Sequence, residues 1–127
     1  SACGLDAEGG LSFLCTRMTF TQCGLDGVYA LNTKGRLINC VTTQCGESGI
    51  SCGENALIEL EGSQSKVDGN GTSGCGYGLA TSYRSSIIHL LFPLTKESVS
   101  TNNLGIGNYG GHGGTRSIET VTSFGSN

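Results

Sequence analysis

Between residues 55 and 61 the apolar side chains Ala56, Ile58 and Leu60 alternate with Leu57, Glu59 and Glu61. A period of two gives a strand with one wetter face. Residues 11–21 predict another strand, being short, bounded by glycine and rich in β-branched and aromatic residues. Residues 28–41 hold two apolar runs around Asn32-Thr33-Lys34-Gly35. Asn-x-x-Gly in that setting predicts a hairpin whose type I turn ends on a left-handed Gly35. Residues 116–124 have strand composition and a weak apolar face, which suits an edge. Residues 80–92 differ: Ala80, Tyr83, Ile87, Ile88 and Leu91 fall at helical offsets, Ser82 is placed to cap and Pro93 to stop the pattern. One short helix is predicted near residues 82–92, with a buried strand as the alternative because Ile87 and Ile88 favour strands. Residues 62–76 and 102–115 read as loops, the second dominated by glycine, so its ordering depends on contacts outside the segment.

Internal repetition adds a second layer. Cys3-Gly4-Leu5-Asp6 recurs as Cys23-Gly24-Leu25-Asp26, and Thr21-Gln22-Cys23-Gly24 as Thr43-Gln44-Cys45-Gly46, with further Cys-Gly pairs at Cys52 and Cys75. Units of 20–23 residues follow, each with an apolar run after the Cys-Gly pair. Either these pairs mark disulfide-anchored turns of an ordinary sheet, or each unit is one coil of a stacked β-structure.

Composition sharpens the choice. The 127 residues include 22 Gly, 1 Pro and 7 Cys, with 36% hydrophobic and 13% charged residues, below the ~45–50% apolar and ~25% charged content of average domains. So modest a core calls for cross-links, and this cysteine density predicts a disulfide framework in an oxidising, extracellular setting. The expected fold is mainly β: a small disulfide-stabilised β-sandwich or sheet with hairpins, or alternatively a short β-solenoid with coils of ~20–23 residues. Residues 1–127 read as a single secreted disulfide-rich domain with a glycine-rich loop at 102–115 and a C-terminal strand at 116–124. The sequence begins without a charged or apolar leader, as a mature secreted form would.

Seven is odd. Cys3, Cys15, Cys23, Cys40, Cys45 and Cys52 cluster and are the disulfide candidates, which leaves Cys75 as the unpaired or intermolecular cysteine. Asn70-Gly71-Thr72 makes Asn70 the glycosylation candidate. The formal net charge of -3 carries no basic run, so nucleic acid lacks its electrostatic footprint. No apolar stretch is long enough to form a transmembrane segment.

Catalysis has little to work with. His89 lies in the most apolar stretch and His112 in a glycine run that holds no base in place. Glu47, Glu54, Glu59, Glu61 and Asp68 crowd one region, as a carbohydrate-active hydrolase needs, yet acids on exposed strand faces are ordinary solvation. Residues 68–72 place oxygens at alternate positions like a calcium loop, but Leu79 stands where the bidentate Glu belongs. Neither a metal nor a cofactor is expected. The predicted function is a non-enzymatic extracellular structural protein, self-assembling as the subunit of a filament or surface layer. Self-association is expected through the C-terminal segment, with Ile118, Thr120, Thr122 and Phe124 as the assembly strand. The alternative is a secreted cysteine-rich toxin or effector that binds a cell-surface protein or glycan.

Overall fold

The computed structural model describes residues 3–113 and 116–125; residues 1, 2, 126 and 127, and residues 114 and 115 of the predicted glycine-rich loop, lie outside the described residues. The chain winds through three sheets in turn. The first coil contributes β1 (Leu5–Glu8), β2 (Phe13–Thr16) and β3 (Thr19–Thr21), and the second β4 (Val28–Leu31), β5 (Lys34–Ile38) and β6 (Val41–Thr43). The third contributes β7 (Ile50–Cys52), β8 (Leu57–Glu61) and β9 (Lys66–Asp68). In the fourth, β10 (Tyr77–Thr81) and β11 (Ile87–Leu91) precede the short helix α1 (Lys96–Val99) and β12 (Ser100–Thr101), and the fifth adds β13 (Gly107–Gly111) and β14 (Ile118–Val121). The first sheet runs β1-β4-β7-β10-β13, the second β2-β5-β8-β11-β14 and the third β3-β6-β9-β12. Every pairing is parallel.

This is a stacked β-solenoid, not a sandwich of hairpins. Parallel neighbours need a long crossover, and here each crossover is the rest of a coil. Leu5 pairs with Val28 and Val28 with Ile50, steps of 23 and 22 residues, whereas Ile50 pairs with Leu79 and Ile88 with Ile118, steps of 29 and 30. Only the early coils therefore keep the length the sequence repeats suggest.

The predicted hairpin of residues 28–41 resolves into two correctly placed strands with the wrong relation, since β4 and β5 lie in different sheets. The left-handed residue is Asn32, at φ 52°, and Gly35 sits inside β5. Most corners of the first three coils use the same device. Asn32 and Asn55 turn the chain from the first sheet to the second, Arg17, Asn39 and Gly62 from the second to the third, and Gln22, Gln44, Gly69 and Asn102 from the third back to the first. Asn and Gly tolerate that backbone, while Arg17, Gln22 and Gln44 meet a Cβ clash of roughly 1 kcal/mol each. Corners also stack: the Asn55 amide donates to Asn32 Oδ1 over 3.2 Å.

The predicted helix near 82–92 is strand β11, with Ile88 and Leu90 fully buried and Ile87, His89 and Leu91 alternating outward. Its helical offsets came from counting residues on both faces of a strand. The one helix described, α1, starts at Thr95, whose hydroxyl accepts from Ser98 N. Part of the predicted glycine-rich loop is also strand: β13 pairs with β10 in the first sheet.

Side chains stack in register through the interior. Phe13, Gly35, Ile58, Ile88 and Ile118 form one inward column, and Cys15, Leu37, Leu60, Leu90 and Thr120 the next. Beneath the third sheet run Phe20, Thr42, Val67 and Ser100, where Thr42 Oγ1 is buried without a hydrogen-bond partner.

No disulfide is formed, which corrects the expected pairing of Cys3, Cys15, Cys23, Cys40, Cys45 and Cys52. The reason is the register: Cys15 stacks on Leu37, and Cys52 lies between Ala30 and Thr81, so the strands set neither beside another cysteine; where cysteines do share a corner column, strand spacing decides. Adjacent parallel strands lie ~4.8 Å apart with parallel Cα–Cβ bonds, whereas a disulfide needs Cβ atoms about 3.8 Å apart. The thiols serve instead as small buried apolar groups that donate weakly to corner carbonyls: Cys40 Sγ to Cys15 O at 3.5 Å, Cys45 Sγ to Thr43 O at 3.6 Å and Cys52 Sγ to Ile87 O at 3.4 Å. Burial pushes the Cys45 thiol up to about 11 and that of Cys52 to about 12, so both stay protonated.

Two outcomes follow from this packing. Excess reductant leaves the thermal melting curve unchanged; a drop in melting temperature on reduction would show a covalent cross-link that the stacking does not contain. Gly35→Val costs ~1–3 kcal/mol by overpacking, because its Cβ would enter the Phe13 ring. Adding Phe13→Ala recovers part of that loss in urea melts, which a purely backbone effect would not permit.

Candidate functional site

The strongest asymmetry lies along the solenoid axis. At the first coil, β1, β2 and β3 are each outermost in their sheets, so one side of each strand presents unpaired N–H and C=O groups. Apolar side chains are exposed on this coil: Leu11 and Met18 at its corners, 80% and 46% exposed, and Leu14, 64% exposed on the outer face in register with Arg36. Strand β1 adds Asp6 and Glu8, and the Asp6 carboxylate, through hydrogen bond and charge, raises Glu8 above the ordinary carboxylate range. At the other end β12, β13 and β14 are outermost. Helix α1 reaches over them: Lys96 Nζ donates to Ile118 O at 3.2 Å and lies 5.0 Å from the Tyr109 ring centre, and Tyr109 OH donates to Glu97 Oε2 at 3.4 Å.

The outer face of the second sheet carries a charged column, Arg36, Glu59, His89 and Glu119, brought together by register. Glu59 is only 2% exposed and accepts from Arg36 Nε at 3.2 Å and Nη2 at 3.0 Å, with Lys34 Nζ 3.9 Å from its second oxygen. Arg36 also lies 3.7 Å from Glu61, and the Phe124 ring covers its guanidinium at 4.4 Å. A cavity of 290 Å³ opens beside the column, lined by Ser12, Leu14, Lys34, Arg36 and Glu59 among others. Lys34, Arg36, Glu59 and Glu61 satisfy one another, so this part of the face reads as a neutralised surface ladder and not as a poised acid and base.

Of the five acids considered for hydrolysis, only Glu59 and Glu61 share a face, and both pair with Arg36. Glu54 lies at a corner after β7, Glu47 precedes β7 and Asp68 ends β9. His89 sits in the outer column of β11, while His112 follows β13. Asn70 is fully buried. Its Oδ1 accepts from Cys45 N at 3.1 Å, and its Nδ2 donates to Thr42 O and Asn103 Oδ1, both at 3.0 Å. That corrects its assignment as an accessible glycosylation site and takes its oxygen away from any calcium loop. The column Cys23, Cys45, Asn70 and Asn103 is instead a polar ladder closing one corner. Cys75 is exposed, its sulfur 3.2 Å from Ser73 Oγ. Ile118 and Thr120 belong to β14, which pairs with β11 of its own chain, so this segment is not a donated strand. Thr122 is exposed beyond it, and Phe124 lies back on Arg36.

Sequence reasoning missed the first-coil end. Leu11, Leu14 and Met18 were legible as apolar, but exposure at a solenoid end depends on which strand is outermost, and no local pattern carries that.

Asp26, at the corner between β3 and β4, generates a pH prediction. Burial, with the nearby Glu47 and Asp6 carboxylates, pushes it up to about 6, although Ser48 N donates to its Oδ1 at 3.0 Å. The folded chain therefore holds the proton more tightly than the unfolded chain, so stability falls as pH rises from about 4 to about 6 and then levels. Asp26→Asn keeps an acceptor for Ser48 and removes that slope. Urea melts across this range should show the variant gaining on the native chain; a pH-independent difference would refute the assignment.

No protein-family model matches the chain, and no curated protein or solved structure matches it either.

Proposed function

We propose that this chain is a structural, non-enzymatic protein that self-assembles through the end of its solenoid, as the subunit of an extracellular filament or surface layer. The observation that carries this is the uncovered first coil. Coils gain their hydrogen bonds and their core from the coil beside them, and Phe13 and Cys15 are only partly buried where Leu37 and Ile58, one or two coils further in, are fully so. Edge strands in natural sheets are blunted by charge, proline or bulges. Strand β1 has Asp6 and Glu8, but β2 (FLCT) and β3 (TFT) have no charge and no proline. Leu14 adds an exposed apolar side chain to that edge. The outer face of the second sheet offers a partner less, since Lys34, Arg36, Glu59 and Glu61 are paired there within the chain.

Sedimentation across a concentration series tests the proposal, with association rising with concentration as the expected result. Leu14→Pro removes the β2 amide that faces the open side, since Arg17 N donates inward to Ile38 O and the ladder alternates, and the lost bond with the ring's steric bulk weakens association roughly tenfold or more. Its melting temperature at low concentration stays close to the native value. A native chain that remains monomeric at every concentration would overturn assembly and favour a monomeric effector acting on a cell-surface target.

A further inference from the structure

We infer that copies of this chain stack head to tail, the first coil of one copy seating on the fifth coil of the next so that β1 adds to β13 and β2 to β14. This rests on the assembly proposed above and specifies its partner, a second copy, and its polarity.

Direction comes first. All ladders in the molecule are parallel, and a further coil continues them only if its strands run the same way. The first coil of another copy, translated along the axis, does so. Two first coils meeting face to face would pair antiparallel and leave both fifth coils open.

Register gives the second argument. The inward column Leu5, Val28, Ile50, Leu79 and Tyr109 ends on an aromatic ring, and the column starting at Phe13 ends on Ile118. One more step places the incoming Leu5 beside Tyr109 and the incoming Phe13 beside Ile118, apolar against apolar. Along the first sheet, Ala7, Ala30, Cys52, Thr81 and Gly111 share a column. The next position therefore runs from Glu8 at one end to His112 at the other, and an incoming Glu8 meets His112.

Charge decides against the symmetric alternative. Face-to-face first coils would bring the Asp6 and Glu8 carboxylates of two copies together, and like charges opposite one another on adjacent strands repel. The fifth-coil end carries Lys96, His112 and Arg116, with Glu97 engaged by Tyr109 and Glu119 on the outer face of β14. The chain leaving β14 does not cover this end, because Phe124 packs down the side onto Arg36 of β5. Two of the three sheets meet across the junction, since the third ends one coil earlier at β12. The Ile118 carbonyl, now held by Lys96, exchanges that donor for a backbone amide of the incoming β2.

Two end-blocked variants test the polarity. Leu14→Pro blocks the first coil: Arg17 N donates inward to Ile38 O, so the ladder turns the Leu14 amide to the open side, where it would bond Ile118 O. Thr120→Pro blocks the fifth: β11 donates to Ser117 O and Val121 O, so by the alternation of a parallel ladder the Thr120 amide faces the open side. Each variant alone should sediment as a monomer, and an equimolar mixture should give a 1:1 heterodimer and nothing larger. If Thr120→Pro alone dimerises, assembly stands and head-to-tail polarity is wrong; if the native chain never associates, the assembly proposal falls with it. A charge exchange covers the case in which Thr120→Pro does not fold. Glu8→Lys and His112→Glu should each weaken association several-fold, and the double variant should recover it. An unaffected His112→Glu would exclude the junction.

Discussion

Everything in this molecule depends on the in-register parallel ladder between successive coils. A coil has no hydrogen bonds of its own beyond its corners, and its strands become strands only because the next coil supplies donors and acceptors. The ladder also dictates side-chain chemistry. Residues one coil apart lie side by side, so like stacks on like in the core, as with Ile58, Ile88 and Ile118, and opposite charges alternate outside, as with Arg36 and Glu59. The corner column follows the same logic: the Asn70 side chain bonds the backbone of the coil before it, and Asn70 donates to Asn103 Oδ1 of the coil after it. Such an amide reaches between coils in a way that an apolar residue cannot, and leaving it unpartnered in the interior would cost about 1–3 kcal/mol.

This ladder explains which parts of the fold were legible in the sequence. Alternation located β4, β5 and β8, because a strand in a solenoid has one buried and one outer face like any half-buried strand. What alternation omits is the partner. Asn32 supplies the same left-handed turn to a hairpin and to a corner between sheets, and the two differ only in whether the following strand comes back or moves on. The recurrence of Thr-Gln-Cys-Gly from Thr21 to Thr43 was a true coil repeat, since Thr21 pairs with Thr43. The recurrence of Cys-Gly-Leu-Asp from Cys3 to Cys23 was not: Gly4 donates to Asp26 O, which puts Cys3 beside the corner after Cys23. From the third coil on the repeat lengthens, to 29 residues through the loop between β9 and β10 and to 30 through α1 and the glycine-rich segment, and Asn70 and Asn103 replace cysteine in the corner column. A periodicity search for fixed spacing and fixed residue type has no purchase there.

The cysteines show how composition misleads when geometry is unknown. Seven cysteines in a short chain carry the signature of a disulfide framework, and the same residues also satisfy the demand of a tight interior for small, apolar groups with a weak donor. The choice between these uses turns on register, which sets Cys15 beside Leu37 and Cys52 beside Ala30 and Thr81, and at the corners on the ~1 Å between stacked-strand and disulfide Cβ spacing. Nothing in the order of residues encodes that distance until the strands are known to be parallel and in register.

Because stability in a stacked array is a sum of coil terms and nearest-neighbour interfaces, the end coils are held by one interface where inner coils have two. The two ends of this chain meet that deficit differently. The fifth coil is partly covered from within, by Lys96 over Tyr109 and on Ile118 O, and the cover is a flexible, charged side chain that solvates readily when displaced. At the first coil, Leu11 and Leu14 remain exposed with no side chain of the described residues packed across their edge. A layer added there gains backbone bonds along two strands and covers apolar surface already held in position, so little ordering entropy is lost on the receiving side. An end that is preorganised, apolar and open favours addition over fraying, and an opposite end whose cover is reversible accepts the same addition.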